Sequence, residues 1–342
     1  PTASKYFIDS PVETMNTVFR GMDAVLRYAK SDNIKSLVEV STLEVYGTIL
    51  DDSRPLDEKD QGYLDVLSTR SSYPMAKRAA EAGMSVMIDF HYSDFFADPS
   101  RQNTPAEWAG LDLKGLSAKV AEHTKDVLTA LKSAGVTPHW VQVGNETRPG
   151  MLWETGRLYN DKGDIPGGWS NYAALTTAGY DAVKSVFPDA QVIVHIDNAY
   201  QDNTWFFDKL KANGGKFDMI GLSHYPMTNS QMTWKAMNSA AILNIKTLAS
   251  KYGCKVMVCE VGVKASASEI ATSTQCLTDF MNSVKSLSVC AGVFYWEPQV
   301  DGKWRPAIYE KQGRNWGAYD MGAFTSDGSA ITPTSILSAF GE

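Results

Sequence analysis

From about residue 84 onward the chain alternates short apolar runs with amphipathic stretches, and that alternation sets what it can fold into. Residues 84–90 (MSVMIDF) read as a buried strand, with a helix to follow at about 115–134. Residues 140–143 (WVQV) precede a helix at about 170–187, and residues 191–196 (QVIVHI) one near 204–213. Residues 217–222 (FDMIGL) lead into a helix at 234–251, and 255–259 (KVMVC) into one at 267–286. Residues 291–296 (AGVFYW) are the last strand, before a helix at 333–340. Brief apolar runs separated by long helical stretches are the pattern of parallel strands with helical crossovers. The six β-then-α units are two short of a closed (β/α)8 TIM barrel. Residues 1–83 offer the missing pair: strands at 5–8 (KYFI) and 36–40 (SLVEV), with helices at 12–29 and 73–82. The expected fold class is therefore α/β, a barrel of eight units. The segment 48–71 is long, polar and rich in turn residues, which suits a functional or mobile loop.

In such barrels the chemistry sits at the C-terminal ends of the strands. The residues found there are His91 to Asp94, then Gly144-Asn145-Glu146, His195, Asp197, Ser223-His224-Tyr225, Glu260 and Trp296-Glu297. Each strand thus ends on a polar or aromatic group, which a purely structural loop does not require. Glu146 and Glu260 matter most, because each follows directly on an apolar run. Two carboxylates flanking one bond, one kept protonated and one ionised, are what glycoside hydrolysis needs. The plain alternative is that each glutamate pairs with a cation at the rim. His195 has the alternative of a satisfied core histidine, and Glu297 that of a structural carboxylate. Trp108 and Trp316 are read either as core or as sugar platforms.

Charge narrows the substrate. A formal charge of −7 disfavours nucleic acid and repels anionic polymers, so a neutral substrate fits better. The 9 Trp, 15 Tyr and 13 Phe supply flat faces on which sugar rings stack, although any one of them can equally serve the core. Cys254, Cys259, Cys276 and Cys290 match no zinc spacing, and the default reading is buried free thiols. No apolar run is long enough to span a membrane, and the opening Pro1-Thr2-Ala3-Ser4 carries no signal-peptide pattern.

The stretches HYSDFFADPSRQNTPAEW (91–108), VQVGNE (141–146), GLSHYP (221–226), VMVCEVG (256–262) and GVFYWEP (292–298) resemble the family 53 glycoside hydrolases. These are endo-β-1,4-galactanases acting on arabinogalactan and pectic galactan, and the resemblance covers about residues 76–342. It implies a retaining mechanism on a (β/α)8 barrel, with carboxyl groups about 5–5.5 Å apart. By that match Glu146 is the general acid/base and Glu260 the nucleophile, Asn145 holds the sugar 2-hydroxyl, and Tyr225 hydrogen-bonds the nucleophile. His91 and Trp296 line the central subsite, and Asp94, His224, Trp108 and Trp316 complete the expected substrate-binding set. Phe96 departs from the family, which often has Trp there. The resemblance also implies a galactan partner, a monomer, a secreted, periplasmic or cell-surface location, and no cofactor or metal.

Residues 1–81 resemble something else, the middle of an extended short-chain dehydrogenase of the nucleotide-sugar epimerase and decarboxylase group. The residues that carry this are SPVETMNTVFRGMDAVLRYAKSDNIKSLVEVSTLEVYG (10–47) and RSSYPMAKRAAE (70–81). There Tyr73 and Lys77 would form the Tyr-x-x-x-Lys acid/base pair, with Thr42 and Glu44 beside them. The Gly-rich dinucleotide fingerprint is absent, so no nicotinamide cofactor is expected. The chain therefore reads as a mosaic. Residues 1–83 form a dehydrogenase-like, Rossmann-type βαβα fragment in place of the first two βα units, and residues 84–342 form barrel units three to eight. The galactanases carry an arginine on the second strand that reaches the nucleophile, whereas residues 36–42 (SLVEVST) hold none. Two further readings stay open, a sugar-binding scaffold without turnover and, more distantly, a nicotinamide-dependent sugar-nucleotide enzyme.

Overall fold

All six strands expected from residue 84 onward are present in the computed structural model, which describes residues 76–94, 97–298, 321–326 and 331–341. They are β1 (Met87–Phe90), β2 (Trp140–Val143), β3 (Gln191–Ile196), β4 (Met219–His224), β5 (Lys255–Val261) and β6 (Cys290–Tyr295). The intervening helices are α1 (Leu113–Ser133), α2 (Gly168–Val186), α3 (Thr204–Ala212), α4 (Trp234–Tyr252) and α5 (Ile270–Lys285). The expected additional strands and helices before residue 76, the long loop at 48–71, and Tyr73, Thr42, Glu44, Phe96 and Trp316 lie outside the described residues. Lys77 is exposed on a helical stretch at 76–81.

The described residues fall into two units. The first holds residues up to 197 together with 203–221. In it β1, β2, β3 and the start of β4 lie side by side, and all the pairs recorded there are parallel. Phe90 is opposite Val143, and Trp140 is opposite Gln191. Helix α1 starts where the Asp112 carboxylate accepts the amide of Gly115, which satisfies one of the four amides a helix start leaves open. Its buried residues Leu116, Val120, Thr124, Leu128 and Leu131 recur every three or four positions, which puts them on one face. Burying a residue such as Leu128 contributes about 1.5–3 kcal/mol. Helix α2 approaches β2 closely at Gly179, where a Cβ would come 2.4 Å from Cγ1 of Val143. Any larger residue there would push on the strand that carries Asn145 and Glu146.

The second unit holds residues 198–202 and those from 222 onward. The end of β4 lies beside β5, and β5 pairs in parallel with β6, with register shifts along the ladder. Helix α4 begins on a Thr233 cap and ends at Gly253, whose φ of 66° closes the helix in the left-handed region that glycine enters without a Cβ penalty. Cys276, Leu277, Phe280 and Val284 form the buried face of α5.

Two sequence expectations shift here. Strand β4 runs on through Ser223 and His224, and β5 through Glu260 and Val261, so these residues are in the strands rather than after them. The helix expected at 333–340 is instead a strand, Ile331–Pro333, paired antiparallel with Phe324–Ser326, followed by a 3-10 turn at Ser335–Phe340. Pro333 favours an extended residue before it, and the few residues left after the Thr334 cap are too short a run for a stable α-helix. No helix among the described residues is long and apolar enough to cross a membrane.

Candidate active site

One face of the strands in the first unit carries a connected polar network. Asp89 on β1 binds His91 Nε2 at 3.0 Å, and its other oxygen accepts from Gln142 Nε2 on β2. His91 Nδ1 accepts the amide of Ala97 at 3.0 Å, so the proton of a neutral ring sits on Nε2, facing the carboxylate. Asn145 Oδ1 accepts from Gln142 Nε2 at 3.1 Å and pairs with His195 Nδ1 on β3 at 2.9 Å. Its Nδ2 donates to the carbonyl of Ala97 at 2.8 Å, which fixes the orientation of the amide. Burial, with His91 nearby, pushes the His195 pKa down to about 3, so that ring stays neutral. Its Nδ1–H then donates to Asn145. Each member is at most 6% exposed, so each hydrogen bond replaces water the group has lost.

Glu146 leaves this network in an unusual conformation. Gly144 has a φ of 85° and Glu146 one of 47°, the left-handed region, which costs a side-chain-bearing residue about 1–2 kcal/mol. The turn is held by Gln102 Nε2, which donates to the carbonyl of Asn145 at 2.8 Å. Thr147 adds an amide bond to the carbonyl of His195 at 2.8 Å. The strain is thus offset by buried contacts on both sides of the residue, the pattern seen where function dictates backbone geometry. Two residues on, Arg148 grips Asp197 with both Nε and Nη2, the latter at 2.7 Å.

In the second unit, Glu260 on β5 is 7% exposed and accepts a 2.6 Å hydrogen bond from the Tyr225 hydroxyl. Trp296, just past β6, is also buried, and its amide donates to the carbonyl of Val261 at 3.0 Å.

Two of the residues expected to contact sugar are buried. His224 is fully buried on the helix side of β4, with its ring 4.4 Å from that of Phe280 and its Nε2 on Asn238 Oδ1 at 2.9 Å. It shifted because β4 is longer than the apolar run suggested, which places residue 224 at an in-strand position facing α4 and α5. Trp108 is buried against Tyr92 and His123, with ring centroids 6.5 and 6.1 Å away. Asp94 is exposed and its Oδ2 accepts the amide of Ala106 at 2.6 Å, so it organises the following loop. Arg148 is committed to Asp197, and Lys255 stands at the opposite end of β5 from Glu260.

Sequence reading overlooked Asp89, Gln142 and Gln102. The signal was available for the first two, since each is a polar residue inside an apolar strand (MIDF, WVQV), and such residues are kept only when paired. Gln102 sits in an irregular loop and carries no comparable mark.

The model of glycosyl hydrolase family 53 matches residues 50–337, and that of the NAD dependent epimerase/dehydratase family matches residues 3–89. The first match opens well before residue 76, so the two overlap over 50–89. The chain is 34% identical to an arabinogalactan endo-β-1,4-galactanase of Thermothelomyces thermophilus, covering 77% of this chain and 80% of that one. A structure from a study of two fungal β-1,4-galactanases is 29% identical, with a TM-score of 0.63 over 80% of this chain and 82% of the other. The catalytic domain of a GH53 protein of Ignisphaera aggregans, 22% identical, shares the fold with a TM-score of 0.68 over 93% of this chain and 88% of the other. The fold class is that of these proteins, the α/β (β/α)8 barrel. With a family match over most of its length and a relative this similar, the chain belongs to glycosyl hydrolase family 53.

Proposed function

We propose that the chain hydrolyses internal β-1,4-galactosyl bonds of galactan or arabinogalactan with retention of configuration. The observation that carries this reading is the 2.6 Å hydrogen bond from Tyr225 to Glu260, which gives a buried strand-borne carboxylate an oriented donor. In the proposed reaction the Glu260 carboxylate attacks the anomeric carbon while the Glu146 carboxylic acid protonates the departing glycosidic oxygen. Glu146, now ionised, then takes a proton from water as that water displaces Glu260 and releases the sugar. One Nδ2 hydrogen of Asn145 is held by Ala97, and the other has no partner among the described residues, so it is available to the 2-hydroxyl of the sugar. The family resemblance assigns His91 and Trp296 to the central subsite of the proposed reaction. The galactanase relatives and the negative charge of the chain both favour a neutral galactan.

The same reading takes residues 1–83 as a dehydrogenase-like fragment and 84–342 as barrel units three to eight, in a secreted monomer. The epimerase/dehydratase match favours one competing reading, a sugar-binding scaffold that turns nothing over. Release of reducing ends from linear β-1,4-galactan, with xylan and mannan as controls, separates the two. Release from galactan alone supports the proposal, and no release from any of the three favours the scaffold.

A further inference from the structure

Among the large apolar residues, Trp205 is unusual in being exposed, at 38%, yet firmly clamped. It is the second residue of α3 and meets Trp169 edge-on at 6.0 Å, Phe206 at 5.8 Å and Tyr159 at 6.5 Å. Lys209 lies over the rings of both Trp169 and Trp205, 5.4 and 6.0 Å from their centroids, and is itself tied to Asp164. A core tryptophan would be covered, and a loose surface tryptophan would have rotamer freedom to lose on binding. Trp205 has neither property, so a ligand stacking on it would cost little ordering entropy.

Tyr159 connects this patch to the polar network. It is half-buried, and its pKa is raised by burial, with Arg148 opposing the rise and Asp197 adding to it. Its hydroxyl has no hydrogen-bond partner among the described residues. Tyr159 belongs to the segment that leaves the end of β2, and Trp205 to the one that leaves the end of β3. The ring contact of Tyr159 with Trp205 therefore joins the segment that follows Glu146 and Arg148 to the start of α3.

We infer that Trp205 and Tyr159 form an outer sugar subsite that holds a part of the galactan chain remote from the cleaved bond. This rests on the proposed galactanase reading. A β-linked galactose presents an apolar face of C–H groups that suits the Trp205 ring, and hydroxyls within reach of the Tyr159 phenol.

The test compares Trp205→Ala, Trp205→Phe and Tyr159→Phe with the unaltered chain, using retardation in native gels containing β-1,4-galactan and steady-state kinetics. Trp205→Ala is expected to lose most of the retardation and to raise KM for galactan about threefold to tenfold, the span of one aromatic contact. KM for a chromogenic galactobioside should change less than twofold, and Trp205→Phe should keep most of the galactan binding. Unchanged retardation and KM in Trp205→Ala overturn the inference. So does an equal loss on both substrates, which would mark a structural role, or an absence of retardation in the unaltered chain. If the unaltered chain is retarded but cleaves nothing, the galactanase reading fails while the gel still decides the subsite.

Discussion

The Tyr225 hydroxyl donates a 2.6 Å hydrogen bond to Oε2 of Glu260, joining the residue that follows β4 to the carboxylate carried on β5. A bond to a charged group of this kind is worth about 1.5–3 kcal/mol. Tyr225→Phe removes it without changing the ring. The expected result is a fall in kcat of about tenfold to a hundredfold, with KM for galactan little changed. A kcat within twofold of the unaltered chain would show that the contact does not orient the nucleophile.

The two glutamates should fail differently. Glu260→Ala should stop turnover, and azide should restore it by forming an α-galactosyl azide in place of the lost covalent intermediate. Glu146→Ala should retain activity on aryl galactosides with good leaving groups, because their departure needs little protonation. Equal fractional losses on every substrate, with no azide product, would reverse or remove the assigned roles.

Much of the architecture is legible in the residues because strands and helices carry different periods. WVQV and QVIVHI mark β2 and β3 to the residue. Strand ends are less legible: Ser223, His224, Glu260 and Val261 are polar or follow a polar residue, and the ladder continues through them regardless. That difference misplaced His224, since a residue inside a strand alternates faces while one beyond it does not. The glutamates could be found from their positions after apolar runs. The network beneath Glu146 could not be assembled from sequence, because Gln102 reaches the carbonyl of Asn145 across 43 residues of chain. At the N-terminal part the two family matches, to residues 3–89 and 50–337, overlap over 50–89.

Acid should destabilise the fold through two buried rings. Burial pushes His195 down to about 3 and His224 down to about 4. In the unfolded chain a histidine takes up its proton near pH 6.5, so between those values the unfolded state binds more protons and stability falls as pH falls. Each ring contributes at most about 1.4 kcal/mol per pH unit. Unfolding free energies from urea titrations between pH 6.5 and 4.5 should therefore drop steeply, and His224→Leu should have a shallower slope. Identical slopes for the variant and the unaltered chain would remove His224 from this account.

The central claim is a retaining galactanase in which Glu260 attacks and Glu146 transfers the proton. Proton NMR of the first sugar released from β-1,4-galactan tests it directly, before mutarotation mixes the anomers. The account predicts that the β-anomer of the new reducing end appears first and the α-anomer follows by mutarotation. Appearance of the α-anomer first would contradict it, and would mean that water attacks the sugar with no covalent bond to Glu260.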